Sequence, residues 1–266
     1  MNDLIVGVDV GGTFTAGVLL EDDGTATPKK VLSSPPHFNV AIKTGIEQAM
    51  EEKKLSGNQV SEYTHGATVA TNAIITRSGA KTGLITTKGF RDVLEIARMS
   101  RDNMYNLWYS RPPPFVPRPM RIEVTERMNV NGKVIEPLDS SEVRKAIRYL
   151  KSQSVESIAV CFLHSYTNPK HEKMVGRILE QEAKSIPFSL SCEVVREYRE
   201  YERTNTTVLD AYIKPIMSKY VDQLDQDLKS RGFKGRLMIA LSSGGARSAT
   251  IAAQAPIKVV NSGPVG

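Results

Sequence analysis

The stretch 4-LIVGVDVGGTFTAGVLL-20 decides how this chain is read. Leu4, Val6 and Val8 fall on one face of a strand, with Ile5, Gly7 and Asp9 on the other. Gly11 and Gly12 permit backbone angles closed to other residues, and a second strand is expected from about Thr13 to Leu20. An acid among valines is costly unless something pairs with it. Three readings compete for Asp9–Thr15. A tight hairpin at a sheet edge leaves the acid unexplained. A dinucleotide fingerprint requires Gly-x-Gly-x-x-Gly opening a helix, and a Walker loop requires Gly-Lys-Ser/Thr; neither is present. In the third, amide N–H groups of Gly11, Gly12 and Thr13 form an anion nest. The hydroxyls of Thr13 and Thr15 add donors, and Asp9 holds a hydrated magnesium ion directly or through water.

Composition bounds the alternatives. The 266 residues suffice for one large domain or two small ones. Apolar residues make up 40% and charged residues 24%, as in ordinary globular proteins. The net charge of +6 is spread along the chain, and the basic residues Arg118 and Arg121 lack a nucleic-acid motif around them. The charge therefore reads as solvated surface, with no nucleic-acid partner. Cys161 and Cys192 have no partner at metal-ligand spacing and read as reduced thiols of a cytoplasmic protein. No apolar run is long enough to span a bilayer, and the opening segment is too short for a signal-peptide core.

Periodicity places the remaining elements. A polar turn is expected over 21–27, helices over 39–54, 140–153 and about 205–231, and strands over 81–87, 157–163 and 236–241. Asn131-Gly132 reads as the turn of a hairpin within 122–138. Asn168 is the expected cap of the next helix, with Pro169 at its first position. Pro215 should kink the long helix and Gly232 end it. Residues 100–121 read as an irregular loop. At the end, 259-VVNSGPVG-266 reads as a strand running into a glycine turn.

Other candidates carry two readings each. His65, Thr68, Thr71 and Asn72 either cap a helix or face a ligand. Arg91 either meets a phosphate or carboxylate or pairs with Asp92, Glu95 or another nearby acid, the pairing being favoured. Ser243, Gly244 and Gly245 are a strand-end turn that either faces ligand or merely turns. Trp108 in 105-YNLWYSRPPPFVPRP-119 is either packed or part of a partner surface. No metal cluster is readable around His164 and His171.

The motifs 7-GVDVGGTFT-15, 65-HGATVATNAIITRSGAKTGLITTKGFRDVLEIAR-98, 198-YREYERTNTTVLDAYIKPIM-217, 242-SSGG-245 and 262-SGPVG-266 occur in this order. Together they resemble the N-terminal part of the hydantoinase A / 5-oxoprolinase / acetone carboxylase family. The resemblance implies an α/β fold of the actin-like ATPase superfamily, with a ribonuclease-H-like mixed sheet flanked by helices. It implies an N-terminal domain over 1–195 and the start of an incomplete second domain over 196–266, with nucleotide in the cleft between domains. His65, Thr68, Asn72, Arg91, Ser243, Gly244 and Gly245 become possible cleft residues, and Asp9 the catalytic and magnesium-holding group.

The implied activity is ATP-dependent: activation of a cyclic amide, or a ketone, by phosphorylation for ring-opening hydrolysis or carboxylation. The implied cofactors are ATP and magnesium, and the implied partner is a B-type subunit or domain of the same family. Family members place an acid after the second threonine of the first motif, where this chain has Ala16. Their second phosphate hairpin follows the Ser-Gly-Pro segment, so the isolated 266 residues are expected to be inactive. A non-catalytic nucleotide-binding or assembly module is the alternative.

Overall fold

The computed structural model describes residues 4–11, 14–32, 56–98 and 104–262. The helix expected over 39–54, Gly12 and Thr13 lie outside them. The chain divides into two compact units: residues 1–76 with 216–266, and residues 77–215. The chain enters the first, passes through the second and returns.

Strands β1 (Leu4–Val10), β2 (Phe14–Leu20) and β3 (Ala26–Leu32) form an antiparallel meander in the first unit. The expected polar turn is shorter than 21–27, because Ala26 already belongs to β3. Strand β4 (Val60–Ala67) pairs parallel to β1, and helix α1 (Val69–Ile75) follows.

The second unit begins with β5 (Thr82–Thr87), all six residues of which are buried. It pairs parallel to β6 (Arg121–Val124), after which β7 (Arg127–Met128) and β8 (Val134–Glu136) form a two-stranded ribbon. The expected hairpin over 122–138 is thus shorter, and its first residues join another sheet. Gly132 takes φ 75°, and Asn129 Oδ1 accepts from the N–H groups of Asn131 and Lys133 across the loop.

Helix α2 (Ser140–Ser152) starts at Asp139, whose carboxylate accepts from the N–H groups of Ser141 and Glu142. Strand β9 (Ser157–Cys161) and helix α3 (Lys170–Glu182) follow. Asn168 accepts from Lys170 N–H, but the helix begins one residue later than expected. Strand β10 (Phe188–Leu190) completes the four-stranded order β10-β9-β5-β6. One face packs Ile85, Val160 and Phe162 with Ile147 and Leu150 of α2 and Leu179 of α3. The other packs Leu84, Ala159 and Cys161 with Val208 and Ala211. Burial of both faces accounts for the continuous apolar runs of β5 and β9.

Val208 and Ala211 belong to α4 (Glu200–Ser230), which starts five residues before the expected Asn205 and contains Pro215. The boundary between the units falls between Pro215 and Ile216. Gly232, at φ 80°, ends this segment as expected. The chain then adds β11 (Arg236–Ala240) parallel to β4 and β12 (Ala246–Ser248) antiparallel to β11, followed by α5 (Ala249–Gln254). The first unit's sheet has the order β12-β11-β4-β1-β2-β3. Residues 256–259 are a 3₁₀ turn, 260–261 continue as a turn and 262 is helical, so the strand expected from Val259 is not formed. Pro256 sets that turn and Val259 anchors it in the core.

One surface expectation changes, and two open positions are placed. Arg121 is among the largest fully buried side chains, held by Val116 O at 2.9 Å and Glu95 at 2.8 Å. Trp108 is 93% exposed and not packed. His171 is buried against Glu126 at 2.8 Å, and Glu126 accepts in turn from Thr87. Cys161 and Cys192 are both free and buried, and burial pushes both thiols up. Among the described residues, no helix is long and apolar enough to cross a membrane, and no group of His, Cys, Asp and Glu forms a metal cluster.

Candidate functional site

Strand periodicity sorts the first motif onto two faces. Leu4, Val6, Val8 and Val10 are buried, while Gly7 and Asp9 face the other way. Register then places Asp9 between two small residues, opposite Ala16 on β2 and Gly66 on β4. A Cβ at residue 66 would lie 2.9 Å from Asp9 Oδ1, so glycine makes room for the carboxylate. Oδ1 is buried and has no hydrogen-bond partner, and Asp9 has no ion pair among the described residues. Burial raises the Asp9 pKa above the usual carboxylate value, partly offset by a hydrogen bond from the Val10 backbone.

The turn after Asp9 is closed by Gly11 N–H donating to Phe14 O at 3.0 Å. A Cβ on Gly11 would lie 2.9 Å from that oxygen, so the turn demands glycine. Gly12 and Thr13, the other residues of the expected nest, lie outside the described residues. Thr15 is placed otherwise than expected: it pairs with Val10 and is buried on the opposite face from Asp9. Its hydroxyl therefore belongs to the interior of the hairpin.

Strands β1, β4 and β11 run parallel, so their carboxyl ends share one edge of the first unit's sheet. In open α/β sheets this edge is where ligands bind. Thr68 stands at the N-terminus of α1 and donates to Val10 O at 3.2 Å, tying that helix to the end of β1. Asn72 Nδ2 reaches Thr68 Oγ1 at 3.5 Å, and Thr71 donates to Val260 O. Beyond β11, Gly244 and Gly245 take φ 87° and 72°, and Leu241 N–H donates to Gly245 O at 2.9 Å. Ser243, Gly244 and Gly245 are all exposed. Ser242 receives the C-terminal segment: its N–H donates to Lys258 O and its hydroxyl accepts from Asn261 N–H.

His65 does not share this edge. It pairs with Val8 and Ile239, is fully buried, and lies 2.5 Å through Nε2 from the Tyr220 hydroxyl of α4. Its Nδ1 is unpartnered, and burial pulls its pKa down to about 4. It is a core histidine beneath the sheet, which the alternation of side chains along β4 dictates. Arg91 belongs to the other unit, with Nε 3.8 Å from Glu123 and 4.0 Å from Asp92. The favoured ion-pair reading fits that geometry.

Gly66 escaped the sequence reading. A glycine inside a strand signals a close approach, but the register identifying Asp9 as its neighbour joins segments far apart in sequence.

Chemically, the edge offers an uncommitted carboxylate oxygen beside a glycine turn. That pair suits a hard cation and the phosphate oxygens it accompanies. The first unit has the mixed sheet of the actin-like ATPase fold. Solved structures share the fold of this chain, these two among them. ATP-dependent caprolactamase from Pseudomonas jessenii matches with a TM-score of 0.91 at 30% identity, covering 98% of this chain and 39% of that one. Nucleotide-free acetone carboxylase matches with a TM-score of 0.85 at 26% identity, covering 100% and 39%. An uncharacterized protein of Methanocaldococcus jannaschii is 37% identical over 97% of this chain and 38% of its own length.

The model of the hydantoinase/oxoprolinase N-terminal region matches residues 5–183, and that of hydantoinase/oxoprolinase matches 203–266. The chain belongs to the hydantoinase/oxoprolinase family. It spans about two fifths of the length of the first of these curated relatives and about one fifth of the 5-oxoprolinases.

Proposed function

We propose that this chain is the phosphate-binding part of an ATP-dependent hydantoinase/oxoprolinase-type subunit that activates a cyclic amide for ring opening. The observation that carries the reading is the buried, unpartnered Oδ1 of Asp9 beside the Gly11 turn. Relatives named as the caprolactamase alpha subunit and 5-oxoprolinase support a cyclic amide, while the acetone carboxylase beta subunit keeps a ketone open as substrate. Those names also support a complex with other subunits, for which a B-type partner is our proposal.

The Asp9 carboxylate fits a divalent cation: it is anionic, oxygen-only and held in place by Gly66. When bound, magnesium would neutralise charge on the phosphate oxygens of ATP. Asp9 would hold the ion without itself moving a proton, beside a turn in which the Gly11 N–H is already given to Phe14 O. Phosphorylation of the amide oxygen forms a P–O bond and breaks the terminal phosphoanhydride bond of ATP. The carbon–nitrogen bond is then opened by water, and phosphate leaves. Free buried cysteines support a cytoplasmic setting.

A specific observation favours the module reading as well. Ala16 faces Asp9 directly across β1 and β2, where the family resemblance implies an acid. Calorimetry with ATP, with and without magnesium, tests the main reading on the chain and on Asp9→Asn. Magnesium-dependent nucleotide binding that weakens at least tenfold in the variant, with an unchanged melting midpoint, is the expected result. Equal binding in both proteins overturns it. Phosphate release in the assembled complex then separates enzyme from module.

A further inference from the structure

The second unit contains a cavity of about 550 Å³, all of whose lining residues fall within 77–215. That size suits a small organic molecule. Tyr109, Phe115 and Tyr201 supply aromatic lining, and Pro112, Pro113 and Pro114 supply a run with no backbone N–H groups. Two lining residues hold left-handed backbone angles without being glycine: Arg77 at φ 53° and Ala97 at φ 49°. Such angles cost energy, and they collect where a ligand is clamped. Arg111 fastens the chain around Ala97. Its guanidinium donates to the carbonyl oxygens of Glu95, Ile96 and Arg98 at the end of the helical turn Val93–Ile96.

The charges around the cavity do not cancel. Arg98 is committed to Glu202 through two hydrogen bonds of 2.9 and 2.6 Å. Glu95 belongs to a balanced cluster: Arg121 pairs with Glu95 at 2.8 Å, Arg118 with Asp92 at 2.8 Å and Arg91 with Glu123 at 3.8 Å. Arg111 faces carbonyl oxygens and no carboxylate. Arg77 is exposed, and its side chain has no ion pair or hydrogen bond among the described residues. Its guanidinium lies over the Phe115 ring, 4.6 Å from the centre. Stacking on a ring occupies a guanidinium's face and leaves the N–H groups along its edge unused. Asn205, half-buried on α4, likewise has no side-chain hydrogen bond among the described residues. The lining thus holds one forked donor set and one amide that the described residues do not engage, beside an excess of positive charge.

We propose that this cavity binds a small, flat organic carboxylate. The two carboxylate oxygens would accept from the edge of Arg77 as a bidentate pair, and the charge of Arg111 would add attraction from further away. The flat body would lie against Tyr109 and Tyr201, with Asn205 meeting a polar substituent. Inorganic phosphate would find one free guanidinium and, along the proline run, no backbone donors from which a nest is built. The inference concerns the second unit alone and does not rest on the ATP reading.

The test uses the purified 266-residue chain with three probes: benzoate, its neutral counterpart benzamide, and inorganic phosphate. Calorimetry should show saturable benzoate binding, with benzamide roughly tenfold weaker and phosphate unable to displace benzoate. Arg77→Gln removes the charge, and Arg77→Lys keeps the charge without the fork. Both alter an exposed side chain, so the melting midpoint should stay where it is. Arg77→Gln should weaken benzoate binding roughly tenfold, with Arg77→Lys between it and the unaltered chain. In nitrogen-15-edited NMR, the Arg77 Nε–H resonance, assigned by its absence in Arg77→Lys, should move with benzoate over the same concentration range. Absent or non-saturating benzoate binding overturns the proposal. So does undiminished binding by Arg77→Gln, which puts the site elsewhere. Equal binding of benzamide, marking an apolar recess only, and displacement by phosphate, marking a general anion site, overturn it as well.

Discussion

Gly66 and Asp9 stand opposite each other on β4 and β1, and the missing side chain of one is filled by the carboxylate of the other. The conformation of Asp9 thus depends on a residue with no functional group. Gly66→Ala should displace the carboxylate while slightly favouring the strand backbone. Magnesium-dependent ATP affinity is expected to fall about tenfold, or about 1.4 kcal/mol, with an equal or higher melting midpoint. Unchanged affinity in calorimetry would show that the carboxylate does not hold the ion from this position.

Ala16 is exposed and shares Asp9's face, so a carboxylate there is not buried. Ala16→Asp sets two like charges directly across a strand pair, costing roughly 0.2–1 kcal/mol. Millimolar magnesium should restore the lost melting temperature, and the assembled complex should release phosphate faster. A loss that ignores both magnesium and mild acid would show that the substitution disturbs packing instead.

His65 gives the first unit an acid-labile core. Burial lowers its pKa from the ordinary 6.5 to about 4. Above pH 6.5 the ring is neutral in both folded and unfolded chains. As pH falls from 6.5 to 4, only the unfolded chain takes up the proton, and stability is lost progressively. The full loss is roughly 3 kcal/mol and levels off below pH 4. His65→Gln should flatten this part of the stability profile in urea titrations between pH 4 and 7. A parallel profile in the variant would trace the acid sensitivity to other groups.

Glu172 is fully buried and accepts from two backbone N–H groups and one hydroxyl near Arg203. Glu172→Gln turns one acceptor into a donor facing donors and leaves the guanidinium uncompensated. A loss of about 3–5 kcal/mol is expected, measured by chemical denaturation. A change below 1 kcal/mol would mean that the network readjusts around the amide.

The sequence made the Asp9–Gly11 corner legible because an acid in an apolar strand beside two glycines has few uses. The helices around Val143 and Val175 were equally readable, since their apolar spacing reflects the faces they bury. Strand β3 was not. Its exposed and half-buried alternation carries Pro28, Lys29 and Lys30, a composition tolerated at a sheet edge, where backbone pairing supplies the order. Val259 and Val260 read as a strand because β-branched residues favour one, yet Pro256 starts a turn that tertiary packing completes. Burial of Arg121 and exposure of Trp108 invert what residue type suggests. The pairing of Asp9 with Gly66 and the twofold division of the chain are long-range properties, and local patterns do not encode them.

The division of the chain has a consequence for biogenesis. Residues 77–215 form a continuous unit, but the first unit needs β11, which pairs with a β4 made long before it. On the ribosome, the inserted unit can therefore finish folding while the N-terminal meander waits with one side of β4 unpaired. Closing that long loop is the slow, high-contact-order step, and an unpaired strand edge exposed meanwhile invites aggregation. Partial products ending before Arg236 should be the species that chaperones retain.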